Sequence, residues 1–313
     1  MQIHPANYIT EVFIAITESE GSREDPYFDL VNKATIGYGV NIEVSGYLRI
    51  VLQNLGLFDG KTNAEIAAIQ QTFTDTINAT PDGVNSTLLS NLNTAAQQYG
   101  LTSFALNETQ STAAFYAILS GVTIGGQLIE GKEAKLDRIL NNSLPHDSLE
   151  YVAVMSMFYN AESLVPAGGG TATAIINGDR PEAWRQIRYV HADQLWSRRY
   201  SEATLFSLTD NAAMSEDEAR AIYRMYTEHG DTMVTLDQEH GGLGSLTTSL
   251  QPAANFLISQ YGEGKTISPL NIWVTDEAGG TITRAGKPRA NEANLLIGDI
   301  GADTLTGGAA MMS

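Results

Sequence analysis

The apolar positions of the first twenty residues follow a helical period. Ile9, Phe13 and Ile16 recur at spacings of four and three, and Glu20 takes the next place on the same face. Gly21, Ser22 and Pro26 stop the run, so the pattern predicts a helix over Tyr8–Glu20 with Glu20 at its C-terminal end. The period then shortens. Tyr27-Phe28-Asp29-Leu30-Val31, a turn at Asn32-Lys33 and Ala34-Thr35-Ile36-Gly37-Tyr38-Gly39 read as a β-hairpin reaching about Asn41.

Helical patterns fill most of the following chain. Ser45–Leu57 is helix-like and ends at Gly56 and Gly60. Thr62-Asn63-Ala64-Glu65 is a capping box ahead of Ile66, Ile69, Phe73 and Ile77. Thr80-Pro81-Asp82-Gly83 is a turn. Leu88, Leu89, Leu92, Ala96 and Tyr99 mark a further helix closed by Gly100, and Asn107-Glu108-Thr109-Gln110 starts another that runs to Leu119. Ile129–Asn142 reads as a charged helix with Leu136, Ile139 and Leu140 inward. Ser148–Ala161 is apolar on nearly every side, the mark of a helix at the centre of a core.

A small-residue loop then leads to a short helix at Thr171–Ile176. Asp179-Arg180-Pro181-Glu182 opens a helix with Trp184, Ile187 and Val190 inward, followed by one over Leu195–Phe206. Ser215-Glu216-Asp217-Glu218 caps the next, with Ala219, Ile222, Tyr223 and Tyr226 on one face. Beyond Gly230 the Gly/Thr/Ser-rich composition predicts loops, with short strands at Asn271–Thr275 and Thr281–Arg284. The fold class expected is α+β, mainly α, with a small N-terminal hairpin and a buried central helix.

Composition narrows the function classes. The 313 residues carry 36 acids against 18 bases, a net charge of −18, which argues against nucleic-acid binding. The excess is read as solubility in a salty or calcium-rich medium rather than as a match to a cationic substrate such as chitosan. No cysteine is present, which excludes disulfides and thiolate zinc sites. No apolar run is long enough to span a membrane, and the first residues lack the basic and apolar regions of a cleaved signal peptide. The five histidines show no metal-ligand spacing.

Glu20 and Asp29 carry the candidate chemistry. A carboxyl at a helix C-terminus beside apolar neighbours has its pKa raised by desolvation and by the helix dipole, and so can hold a proton for general acid catalysis. Asp29, in a polar hairpin, stays ionised, and Thr35 offers a hydroxyl to orient water. Two carboxyls pushed to different pKa values are the acid and base pair of a glycosidase.

Glu20-Gly21, the aromatic Tyr27, Asp29 nine positions after Glu20, Thr35 six further and then Ile36-Gly37-Tyr38-Gly39 resemble the signature of phage-type lysozymes, glycoside hydrolase family 24. The resemblance extends from about Tyr8 to Phe206 and is thin from Val44 to Gly126. It implies a lysozyme-like fold and a muramidase acting on peptidoglycan glycan strands without a catalytic cofactor. In that reading Glu20 is the general acid, and Asp29 and Thr35 position the attacking water. Tyr38, Asn160 at the end of Phe158-Tyr159-Asn160, and Arg198 of the Arg198-Arg199 pair are substrate-binding candidates. Val40 stands where family members often carry His. Five bases between Arg180 and Arg199 are read either as a locally basic cleft for an anionic glycan or as a solvated helix face. A lytic transglycosylase and a non-enzymatic glycan- or calcium-binding module are the alternatives.

The chain is thus expected to comprise a catalytic domain over residues 1–230 with a helical insertion at about 44–126, a glycine-rich extension over 231–290, and a tail over 291–313. In that tail Leu296-Ile297-Gly298-Asp299-Ile300-Gly301-Ala302-Asp303-Thr304-Leu305-Thr306-Gly307-Gly308 resembles one nonapeptide calcium repeat of RTX proteins. The resemblance implies Ca²⁺ ligation by Asp299 and Asp303, export by a type I secretion machinery and a secreted protein, expected as a monomer. One repeat cannot by itself bury the face of a β-roll.

Overall fold

The computed structural model describes residues 8–190, 195–210, 213–262, 264–274, 281–283, 294–298, 304–306 and 310–312. For residues 19, 20, 281–283, 304–306 and 310–312 it describes the backbone alone. The protein is α+β and mainly α, with a small antiparallel hairpin near its N-terminus. The chain divides into two compact units. One takes residues 4–143 and 155–164, and the other takes residues 144–154 and those from 165 onward.

The first unit begins with α1 (Tyr8–Glu20), β1 (Arg23–Phe28), β2 (Ala34–Gly37) and β3 (Val40–Asn41), the three strands forming one antiparallel sheet in that order. The buried stripe of α1 is Tyr8, Val12 and Ile16, and Glu20 occupies the next position of its register. The helix stops because Gly21 turns into the left-handed region at φ +65°, its N–H bonded to the Thr17 carbonyl. Four helices follow: α2 (Ser45–Asn54), α3 (Asn63–Asn78), α4 (Asn85–Gln97) and α5 (Glu108–Ser120). The capping boxes of Thr62 with Glu65 and of Asn107 with Gln110 are both formed.

A second hairpin, β4 (Val122–Ile124) and β5 (Gln127–Ile129), precedes α6 (Lys132–Ile139), so the charged helix starts three residues later than its pattern suggests. The central helix α7 (Leu149–Asn160) is buried from Tyr151 through Tyr159, as its all-round apolar sequence requires.

The second unit contains α8 (Gly170–Ile176), α9 (Arg180–Tyr189) and α10 (Trp196–Phe206). Two long helices follow: α11 (Glu216–His240), the helix expected after the Ser215 cap, which continues past Gly230, and α12 (Leu243–Tyr261), where Gly/Thr/Ser-rich loops are expected from the composition. Helix α11 runs through Gly230, which packs under the Tyr226 ring: a Cβ there would lie 2.9 Å from it. Gly241 ends α11 at φ +75°, and Gly242 donates back to the Asp237 carbonyl, so the glycine pair forms an αα-turn. Leu246, Leu250, Ala253, Ala254 and Leu257 form the buried face of α12, which accommodates Pro252 in its interior.

Among the described residues five short strands follow: β6 (Ile272–Val274), β7 (Thr281–Thr283), β8 (Asn294–Ile297), β9 (Thr304–Thr306) and β10 (Ala310–Met312). β6, β8 and β10 form one parallel sheet, and β7 and β9 another. Successive strands therefore alternate between two parallel sheets, the connectivity of a β-roll. β6 and β7 supply the earlier strands of the two sheets. Ile272, Val274, Leu295, Leu296 and Ile297 are buried in this region.

Candidate active site

The hairpin after α1 is built around Asp29. Its backbone N–H donates to the Lys33 carbonyl, and its Oδ1 accepts from the amides of Val31 at 2.9 Å and Lys33 at 2.8 Å. Asn32 takes φ +59° inside this turn. Asp29 is half-buried, and among the described residues its Oδ2 receives no hydrogen bond. Thr35, one residue into β2 and opposite Tyr27, is buried; its hydroxyl donates to the Lys33 carbonyl at 2.9 Å. With its proton so committed, Thr35 Oγ1 faces any further partner as an acceptor. Glu43 latches the turn, accepting from the Ala34 amide at 3.0 Å and pairing with Lys33 Nζ at 2.9 Å.

The Ile36-Gly37-Tyr38-Gly39 run serves packing. Gly37 sits at φ +62° with Ser111 Oγ 3.2 Å from where a Cβ would stand, so two constraints demand glycine there. Tyr38 is buried rather than open to a cleft. Its ring meets Phe13 edge-on at 5.2 Å, and its carbonyl accepts the Tyr159 hydroxyl at 2.9 Å. Val40 is buried in β3 beside Ile36. Asn160, half-exposed, ends α7.

Glu20, Asp29, Thr35, Tyr38 and Asn160 all belong to the first unit, and Arg198 belongs to the second. The Glu20 side chain and the two tail aspartates, Asp299 and Asp303, lie outside the described residues.

Arg198 is buried and donates from Nε to Glu202 at 3.1 Å, while Arg199 Nη1 meets the other oxygen of the same carboxylate at 2.9 Å. The remaining arginines of this stretch are also ion-paired: Arg180 with Glu150, Arg185 with Glu182, and Arg188 with Asp237. The locally basic cleft considered from the sequence is therefore replaced by internal ion pairs. Asp237 is the most heavily used of these acids. It accepts from Arg188 and Tyr189 at 3.0 Å and from Tyr200 at 2.7 Å, tying α9, α10 and α11 together.

One cluster of titratable groups escaped sequence reasoning. Lys132, at the start of α6 and 5% exposed, sits 5.4 Å from each of the Tyr47, Phe158 and Tyr159 rings. Its ammonium donates to the Phe158 carbonyl at 3.3 Å and to Glu162 Oε1 at 3.4 Å; Lys135 and the Tyr47 hydroxyl reach the same oxygen at 3.0 Å. Burial pulls the Lys132 pKa down to about 8 against the opposing effect of Glu162. Burial also pushes Glu162 up, but Lys132, Lys135 and Tyr47 together outweigh it and hold the carboxyl below its ordinary value. Burial and then Glu162 push the Tyr47 phenol well up. The only local hint of the cluster is a lysine among the inward positions of a short helix.

No family model, no curated protein and no solved structure matches this chain.

Proposed function

We propose that this protein is a peptidoglycan hydrolase, a muramidase that cleaves the β-1,4 bond between N-acetylmuramic acid and N-acetylglucosamine with inversion. One observation carries the reading. Asp29 keeps one carboxylate oxygen unused, and Thr35 has spent its hydroxyl proton on the Lys33 carbonyl. Both therefore offer acceptors on the hairpin that follows the helix ending in Glu20. In this reading one water donates to both and keeps a lone pair for the anomeric carbon.

In the proposed reaction Glu20 gives its proton to the glycosidic oxygen as the bond to the anomeric carbon breaks. The water oxygen bonds to that carbon from the opposite face and passes a proton to Asp29. Inversion by this route places the two carboxyls roughly 6.5–9.5 Å apart. The resemblance of the tail to a calcium repeat, with strands that alternate between two parallel sheets, supports a secreted protein whose Asp299 and Asp303 contribute to Ca²⁺ binding. Among the described residues no helix is long and apolar enough to cross a membrane.

The test is digestion of purified peptidoglycan in ¹⁸O-labelled water, with products identified by mass. A muramidase leaves ¹⁸O on the new reducing end. Unlabelled anhydro-muropeptides reassign the enzyme as a lytic transglycosylase. The absence of products from folded protein supplied with Ca²⁺ removes the enzymatic reading and leaves a binding module.

A further inference from the structure

Lys132 is joined to the hairpin of the candidate site by an unbroken run of contacts. Its ammonium lies 5.4 Å from the centroid of the Tyr159 ring. The Tyr159 hydroxyl donates to the Tyr38 carbonyl at 2.9 Å. Tyr38 stands between β2, which carries Thr35, and β3. Lys132, Tyr159 and Tyr38 are all buried and all belong to the first unit.

The same ammonium fixes the end of α7. It donates to the Phe158 carbonyl at 3.3 Å, in the last turn, where a helix supplies no donor of its own and where its dipole favours a cation. Asn160, the substrate-binding candidate, ends that helix two residues further on. Lys132 thus touches the backbone beside one candidate residue and, through one aromatic ring, the strand turn beside another.

The charge on Lys132 is what makes these contacts attractive. A neutral amine loses its pull on the three surrounding rings, on the negative end of α7 and on Glu162. Burial brings that loss within reach of mild alkali, the amine titrating near pH 8. The titratable groups around it are Tyr47 from α2, Lys135 from its own helix and Glu162 from the 3₁₀ turn after α7. Glu133, next to it in α6, is engaged by the Tyr8 hydroxyl of α1 at 2.9 Å. Glu162 is held below its ordinary range and Tyr47 well above its own, so neither changes charge near pH 8.

We propose that Lys132 is a positioning residue of the candidate active site: its ammonium, through Phe158 and Tyr159, holds the Asp29 and Thr35 hairpin against the end of α7, and loss of its proton releases that hold. The consequence for turnover rests on the hydrolase reading. The link from Lys132 to the hairpin does not.

The test follows carbon-detected backbone carbonyl shifts of full-length Glu20→Gln protein from pH 6.5 to 9.5. That substitution removes the titration of the candidate acid itself. The Phe158 carbonyl reports the Lys132 contact, and the Tyr38 carbonyl reports the hairpin. Both are expected to shift with one midpoint near pH 8. Both shifts are expected to vanish when Lys132→Met is added, which keeps an unbranched side chain and removes the charge. In active protein, pH profiles of kcat/KM on peptidoglycan compare wild type with Lys132→Arg, whose guanidinium stays charged throughout. The ratio of variant to wild type is expected to rise about tenfold from pH 7 to pH 9, as the protonated fraction of Lys132 falls.

A Tyr38 carbonyl that does not titrate while Phe158 does, or that titrates unchanged in a folded Lys132→Met protein, overturns the proposal. A flat ratio between the two active enzymes overturns the coupling to turnover. Absence of turnover from wild type counts against the hydrolase reading alone, because the carbonyl titrations are read in a protein that needs no activity.

Discussion

Replacing Lys132 by Met isolates one buried charge and its pH dependence. In the folded protein burial lowers the Lys132 pKa from 10.5 to about 8, with Glu162 opposing. At about 1.4 kcal/mol per pH unit, that difference corresponds to about 3 kcal/mol against folding at neutral pH, where both states carry the proton. The sign follows from proton counting. Between pH 8 and 10.5 the folded lysine has released its proton and the unfolded one retains it. The unfolded state then binds more protons, and wild-type stability rises with pH.

Lys132→Met removes this contribution while keeping an unbranched side chain among the Tyr47, Phe158 and Tyr159 rings. Its stability relative to wild type should therefore fall by about 2.5 kcal/mol between pH 7 and pH 10. Tyr47 limits the useful window: its folded pKa is raised, so the stability it lends is lost as pH climbs above the unfolded phenol value near 10. The assay is urea unfolding of both proteins at half-unit pH steps, each analysed for midpoint and slope. A difference that stays flat from pH 7 to 10 would refute the account of Lys132 as a desolvated, pKa-depressed amine.

Asp29 separates catalysis from folding. Asp29→Asn retains an oxygen for the Val31 and Lys33 amides and should melt near wild type with peptidoglycan turnover lost. Asp29→Ala should also lose about 1–3 kcal/mol in urea unfolding, because those amides lose their acceptor. Asp237→Asn leaves Arg188 buried without its carboxylate and should cost about 3–5 kcal/mol in thermal or urea unfolding of the second unit. Under the calcium-repeat reading, millimolar Ca²⁺ should raise the melting temperature and chelator should reverse it; Asp299→Asn with Asp303→Asn should abolish the response in calorimetry.

The parts of the fold that could be read from the sequence are those specified by neighbours in the chain. The end of α1 at Gly21, the Asp29 turn, the Thr62 and Asn107 caps and the Ser215 cap of α11 are all local signals, and each forms. α7 was legible because a helix apolar on all sides has no alternative to burial. Helix α12 was not: its composition reads as loop, and its helicity comes from the packed row of Leu246, Leu250, Ala253 and Leu257.

In the tail the repeat-like spacing is local, whereas β8 and β9 pair with strands that begin at Ile272 and Thr281, in residues with no such spacing. In the candidate site, Asp29 and Thr35 were singled out through the resemblance of the Glu20–Gly39 stretch to phage-type lysozymes, and the turn that holds them is local in sequence. Burial of Tyr38 and the Lys132 cluster depend on contacts far apart in sequence, whereas Arg198 and Arg199 share Glu202 at helical spacings of four and three.

The most direct test of the central claim compares wild type with Glu20→Gln in the release of reducing ends from purified peptidoglycan, both proteins shown to be folded by circular dichroism. The account predicts reducing-end muropeptides from wild type and a loss of about a hundredfold or more with Glu20→Gln, the scale of a general acid's contribution. Equal release from the two proteins would contradict it.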